Sequence, residues 1–236
     1  MLNDPLFKFD PEKHLYTYAG VVEPSVTQLE QQFGLIDFSG VPKSRLEYKR
    51  VLGVAVHRAC HLVDDCNLDE EKLSKPLVPY VEAYKKFCEI TGFEARSEIT
   101  EVALRSKKYR FCGSPDRQGL FVTKFGDEES LIDLKCTWKL YNAVGPQLQG
   151  YKILVEENYG IKIKKVYGLQ LKGTGHYELK CFNDPSDKQD FLACVYLHWQ
   201  LRNKYAYKPG GLFNEFDIIA GNEGTRTGSQ RSHAVC

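Results

Sequence analysis

Apolar and polar positions follow several different periods along this chain, and each change of period marks an element border. Residues 6 to 18 alternate as two short extended runs around Pro11, which predicts a hairpin. Ser25-Val26-Thr27-Gln28 has the form of a capping box, so a helix is expected to start there and to stop at Gly34. A second helix is predicted from about Ser44 to Cys66, and a third from Pro76 to Thr91 with Val78, Val81, Tyr84, Phe87, Cys88 and Ile90 at helical spacing. Strands follow near 97 to 105, 109 to 123 and 130 to 136, then a helix from 146 to about 158. Two more strands near 162 to 172 and 176 to 182 and a helix from about 187 to 205 complete the pattern. The expected fold class is α/β, in its α+β form: a central mixed β-sheet flanked by helices.

This organisation needs only one domain. Residues 1–208 are expected to form it, with the hairpin and first helix as an N-terminal extension, and 209–236 to form a C-terminal segment. From Ala220 onward that segment is small and polar, which predicts a flexible end. With 236 residues and 42% hydrophobic content the chain can bury one sizeable core. No run of eighteen apolar residues occurs and Met1-Leu2-Asn3-Asp4-Pro5 has no signal-peptide core, so a soluble intracellular (cytoplasmic) protein with no membrane partner is expected. Eight cysteines in such a chain are expected to be reduced thiols. A net charge of +1 neither argues for nor excludes a nucleic-acid partner. Local basic stripes do exist, in Lys107-Lys108-Tyr109-Arg110, around Lys162, Lys164 and Lys165, and from Arg202 to Lys208.

Candidate chemistry centres on Asp133-Leu134-Lys135. The apolar Leu131 and Ile132 carry it as a strand, and residues two apart on a strand share a face, so a carboxylate and an ammonium point into one place. A hard divalent cation takes carboxylates plus phosphate oxygens, and a neighbouring lysine can orient water or neutralise charge. An acidic-x-Lys triplet alone decides little, since about one is expected by chance at this length. Glu47-Tyr48-Lys49 and Glu178-Leu179-Lys180 are two further matches. The surroundings distinguish the site at 133. Gly113 and Pro115 mark a bend before Asp116, and the polar turn Asp127-Glu128-Glu129-Ser130 lets two antiparallel strands set Asp116 beside Asp133. Carboxylates that close repel each other unless a cation lies between them.

Read alone, His57 in Gly53-Val54-Ala55-Val56-His57 is either a satisfied helical histidine or, with His61, half of a zinc pair that lacks the glutamate of a His-Glu-x-x-His pattern. Gln147 and Tyr151 lie one turn apart on one helix face, and Pro146 suits a first turn, which would put Gln147 near amides that favour phosphate.

The order of these motifs resembles the PD-(D/E)XK nucleases, most closely their RecB-like, phage-type exonuclease branch. Pro115-Asp116 is literal, Asp133-Leu134-Lys135 follows seventeen residues later, Gly53 to His57 is similar to the Gly-x-x-x-His helix, and Gln147 to Tyr151 to the Gln-x-x-x-Tyr helix. The motifs span roughly residues 48 to 155, and the opening from Phe9 to Thr27 is similar to phage members. The resemblance implies a restriction-endonuclease-like core. It implies one or two Mg²⁺ or Mn²⁺ ions on Asp116, Asp133, the Leu134 carbonyl and His57. Lys135 would position and help deprotonate water, and Glu101, rather than Glu98, would supply the preceding acid. Gln147, Tyr151 and Gly53 would contact DNA or support the site. No iron–sulfur cluster is expected, because Cys181, Cys194 and Cys236 are too dispersed. The implied activity is exonucleolytic hydrolysis of DNA, with a recombination or single-strand-binding protein as partner, in the manner of a phage protein in its host cell. An endonuclease using the same residues, or a DNA-binding module that does not cut, are the alternatives.

Overall fold

A computed structural model of the chain describes residues 4–122, 124 and 126–205. Among them, β1 (Phe7–Asp10), β2 (Leu15–Tyr18) and β3 (Val21–Glu23) precede α1 (Val26–Gln32), α2 (Lys43–Asp64) and α3 (Val78–Thr91). Next come β4 (Phe93–Ala95), β5 (Leu104–Arg105), β6 (Cys112–Gly113), β7 (Arg117–Phe121) and β8 (Glu128–Lys135). The order closes with α4 (Val144–Tyr159), β9 (Lys165–Leu171), β10 (Tyr177–Cys181) and α5 (Ser186–Lys204).

The central sheet runs β10-β9-β8-β7-β4, antiparallel throughout except for the parallel pair β8 and β9. A parallel pair cannot be closed by a tight turn, so α4 makes the crossover. β8 is the middle strand and is covered on both faces, and its alternation divides the core. Leu131 packs with Leu148, Leu154 and Phe191 on the side of α1, α4 and α5. Ile132 and Leu134 pack with Val56, Tyr84 and Phe87 on the side of α2 and α3. The expected mixed α/β architecture, with helices on both faces of a mixed sheet, is what the structure has.

Local chemistry explains the element ends. Ser25 caps α1 as the sequence predicts, accepting from the Gln28 amide at 3.2 Å while the Gln28 side chain accepts from the Ser25 amide at 2.9 Å. The hairpin forms and gains β3 as a third strand. The third helix starts at Val78 instead of Pro76, because two short 3-10 turns, Glu70–Lys72 and Lys75–Leu77, occupy the approach. Gly92 ends it with φ at +65°, a conformation that costs glycine little.

Two expected strands are not formed as read. Residues 97–101 are turn and 102–103 irregular, so only Leu104–Arg105 of that run is a strand (β5), and the edge strand of the sheet is the earlier β4. Ile99 and Thr100 are buried by folding back on Arg96, whose carbonyl accepts from both their amides and from the Thr100 hydroxyl at 3.1 Å; this local bonding competes with a ladder. The run from 109 to 123 is broken as well. Cys112–Gly113 pairs with β5 outside the main sheet, and Ser114-Pro115-Asp116 then crosses to β7. The segment assigned to 209–236 lies outside the described residues, as do Ala206 to Lys208 of the last basic stripe.

Candidate active site

β7 and β8 pair antiparallel with Arg117 opposite Ile132, so the register continued by one residue sets Asp116 beside Asp133. Asp133 is 2% exposed, on the central strand, facing α4. Its Oδ2 lies 2.7 Å from the Lys135 ammonium, which also donates to the Gln147 Oε1 at 2.8 Å. The Asp133–Lys135 approach is an ion pair without hydrogen-bond alignment, which leaves Oδ2 a buried oxygen with no aligned donor. Burial, reinforced by the Asp116 charge, pushes the Asp133 carboxyl above its ordinary range, although the Lys135 ammonium beside it pulls the other way.

Asp116 has the opposite balance. Burial disfavours its charge, yet the His57 imidazole, the Lys135 ammonium and the Leu134 amide together hold it below the usual carboxylate range. Its Oδ2 accepts from the Leu134 amide at 2.7 Å, and its Oδ1 lies 3.4 Å from His57 Nδ1. His57, about a quarter exposed on α2, places Nε2 3.1 Å from the Leu134 carbonyl. The imidazole therefore bridges a carboxylate and a carbonyl that the resemblance assigns to a cation.

Arg117, absent from the sequence-derived site, holds this cluster together. It is 0% exposed, donates to the backbone carbonyls of Asp116 (2.6 Å) and His57 (3.0 Å), and places Nε 2.6 Å from Asp64 Oδ2. Tyr84 completes the set by donating to Asp64 Oδ1 at 2.6 Å. One guanidinium thus ties α2 to β7 across the site. The only sequence signal for it was an arginine next to Asp116 in the run expected as a strand near 109 to 123.

Glu101 sits in a turn at φ +56°, its amide bonded to the Pro115 carbonyl at 2.9 Å and its carboxylate 3.4 Å from Arg117 Nη1. It therefore does not lie in the strand expected near 97 to 105. It does reach the cluster, because its charge helps to raise the His57 pKa. Glu98 is exposed, and its carbonyl accepts from the Tyr159 hydroxyl.

Gln147 and Tyr151 share a buried face of α4, at 4% and 8% exposure, so they line the site from inside instead of facing a solvent groove. Tyr151 approaches Gly113 so closely that an added Cβ there would lie 2.9 Å from its ring. The expectation that α4 offers free amides to phosphate fails: the helix starts at Val144, and the amides of Val144, Gly145 and Gln147 bond to Tyr141, Asn142 and Ala143. Gly53 is on α2, where a Cβ would meet nothing within 4 Å, so no close packing demands a glycine there.

The rival triplets lie elsewhere. Glu47 pairs with Arg50, and Glu178 with Lys172, while Lys180 covers the Phe182 ring on the outermost strand. His61 pairs with Asp65 at 3.5 Å, and among the described residues no third His, Cys, Asp or Glu groups with it and His57. Part of the basic stripes is similarly occupied: Arg110 pairs with Glu23, and Lys165 with Glu128.

Glu30 is the residue that sequence reading passed over altogether. It is 0% exposed on α1, and neither carboxylate oxygen has a hydrogen-bond partner. Burial pushes its pKa to about 8, with Lys135 opposing and Asp133 reinforcing the shift, which puts it in the field of the site. The folded chain holds this proton up to about pH 8, while the unfolded chain releases it near 4.5. The folded state therefore binds more protons in that window, and stability must fall as pH rises through it. Glu30→Gln should remove a decline on the order of a few kcal/mol between pH 5 and 8. Urea midpoints at both pH values check this, and equal declines in the two proteins would refute it.

The donor types present suit a hard cation: two carboxylates, one of them (Asp133) with a buried oxygen that has no aligned donor, and a backbone carbonyl. Among the described residues, no group of three or more His, Cys, Asp and Glu side chains converges as a ready-made cage. Open positions filled by water and phosphate are what such a cation uses at a phosphoryl site.

No protein-family model matches the chain, and no curated relative matches it. Among solved structures it is similar to an alkaline exonuclease from Laribacter hongkongensis, at 15% identity and TM-score 0.36, covering 78% of this chain and 93% of that one. It is also similar to a candidate exonuclease from Eubacterium rectale, at 10% identity and TM-score 0.44, covering 88% and 91%.

Proposed function

We propose that this protein is a divalent-metal-dependent DNA nuclease of the PD-(D/E)XK type and, by the resemblance of its motifs to the RecB-like branch, an exonuclease. The observation that carries the reading is the convergence of Asp116, Asp133, Lys135 and the Leu134 carbonyl at the end of the central strand, with the two carboxylates side by side. Asp116, Asp133 and the Leu134 carbonyl would hold Mg²⁺ or Mn²⁺, with His57 released from that carbonyl to serve as a further ligand or as a donor to Asp116. The bound cation would lower the pKa of water and stabilise charge on a phosphate oxygen.

The chain's own groups supply orientation. Lys135 is kept charged, since Asp133 and Asp116 outweigh the burial that disfavours its ammonium, so it serves as a donor aligning water and countering developing charge. Gln147 fixes the direction of that ammonium. Arg117 fixes the backbone on which Asp116 and His57 stand.

Incubation of linear and closed circular DNA, single and double stranded, with Mg²⁺ or Mn²⁺ tests the reading. Degradation of linear DNA alone, abolished by chelator, is the expected result. Undiminished cutting by metal-free protein in excess EDTA would overturn the metal chemistry, and cutting of closed circles would replace end dependence with an endonuclease.

Binding and chemistry should separate at Asp116. Without metal its charge repels phosphate, so Asp116→Asn should bind a short duplex in chelator as well as the parent or slightly better. With Mg²⁺ present the variant should lose cleavage. Fluorescence anisotropy beside cleavage at the same salt reads both, and loss of metal-free binding by a folded variant would remove Asp116 from the phosphate site.

A further inference from the structure

Lys135 is followed by Cys136-Thr137-Trp138-Lys139-Leu140-Tyr141-Asn142, the connection between β8 and α4. The Trp138 indole is 87% exposed and the Tyr141 ring 52%. One exposed ring is ordinary on a protein surface, but two on one short loop next to the candidate site form a contact surface. Nor is the loop loose. The buried Gln170 side chain donates to the Thr137 carbonyl at 2.6 Å, the Thr137 hydroxyl donates to the Lys139 carbonyl at 2.9 Å, and Leu140 packs onto the core. The rings are thus presented on an anchored turn, with the Lys139 ammonium 4.8 Å from the Tyr141 centroid.

Position gives the exposure a meaning. Three residues span at most about 11 Å between Cα atoms, so Trp138 and Lys135 are anchored close together and a strand of a few nucleotides is long enough to meet both. A second ammonium adjoins the loop: Cys136 has its thiol pushed up by burial to about 12 while Lys49 of α2 pulls it back. Aromatic faces interleaved with lysines bind single-stranded nucleic acid, the rings taking bases and the ammonium groups the backbone. Inside a duplex, base faces are covered by their neighbours, so an exposed ring beside the reacting phosphate can stack only on a terminal or unpaired base.

Resting on the nuclease reading above, we infer that Trp138, with Tyr141 on the same loop, is the stacking platform for an unpaired base of the strand held over Asp116, Asp133 and Lys135. The substrate class that follows is a single strand or a frayed duplex end.

The chain has two tryptophans, so a Trp199→Phe protein carries Trp138 as its sole indole reporter. Titrated in excess EDTA with a short single-stranded deoxyoligonucleotide, its emission should be quenched, and a blunt duplex of the same sequence should quench it less. Trp138→Ala should weaken single-strand binding about tenfold, the size of one base–aromatic stack, and Trp138→Tyr should restore most of it. Binding of single strands by the parent protein with no quenching, and with equal affinity in Trp138→Ala, would overturn the inference and leave the nuclease reading intact. Equal quenching by duplex and single strand would overturn the preference for unpaired bases. A change of oligomeric state in Trp138→Ala would make the ring a subunit contact and overturn the inference as well. Failure of the parent protein to bind any DNA would remove the nuclease reading and this inference together.

Discussion

Lys135→Ala should reduce DNA turnover by about 10²- to 10⁴-fold, the range found when a positioned proton-handling or charge-stabilising group is removed. The cause is local. Its ammonium is the cation that faces both Asp133, at 2.7 Å, and Gln147, at 2.8 Å, and an alanine leaves nothing to align water or counter the charge developing on phosphate. The fold should tolerate the change, because the side chain is still about a quarter exposed at the end of β8 and Asp133 can take up a proton in its absence. Lys180→Ala is the matched control, carrying the same triplet spacing on an exposed edge strand. Single-turnover rates at saturating DNA, with thermal melts of both variants, separate chemistry from folding. Equal rates in the two variants would move the site away from Lys135.

The parts of this molecule that were legible in the sequence are those governed by short-range rules. Ser25 and Gln28 predict their own capping box, and Leu131 to Lys135 predict a strand whose two polar residues share a face, because a period of two leaves no other arrangement. Asp116 beside Asp133 also followed, since a turn between two extended runs fixes their neighbourhood. What was not legible is either a choice between two local bonding patterns or a contact far apart in the chain. Ile99 and Thr100 can extend or fold back on Arg96, and their residue types do not decide between the two. Glu30 looks like any polar residue of a short helix until α4 and α5 close over α1 and strand its carboxylate without a partner. The amides at the start of α4 could be judged free or used only once the preceding turn was known.

Arg117 is the strongest case of a long-range role, and its removal should have the largest effect on stability. Arg117→Met keeps much of the volume of the stem but leaves Asp64 buried opposite an uncharged group, together with the carbonyls of Asp116 and His57 that the guanidinium had satisfied. Breaking one partner of a buried pair costs about 3–5 kcal/mol, which for a chain of this size lowers the melting temperature by roughly 10 °C. Tyr84 would still donate to Asp64 Oδ1, so the loss should be partial unfolding stability and not collapse of the α2–α3 packing around Phe87. The double variant Arg117→Met with Asp64→Leu removes the stranded charge and should recover much of the stability, because an apolar pair of similar volume can replace a buried ion pair at little cost. It should not recover activity, since the backbone carbonyls beside Asp116 and His57 remain unheld and a misplacement of about 1 Å at a reacting centre costs about 10²-fold in rate. Urea unfolding of the parent, single and double variants, set beside their cleavage rates, distinguishes the two contributions. A double variant that regained both stability and turnover would show that Arg117 serves only the core, and that the alignment of Asp116 with Asp133 is kept by the sheet register alone.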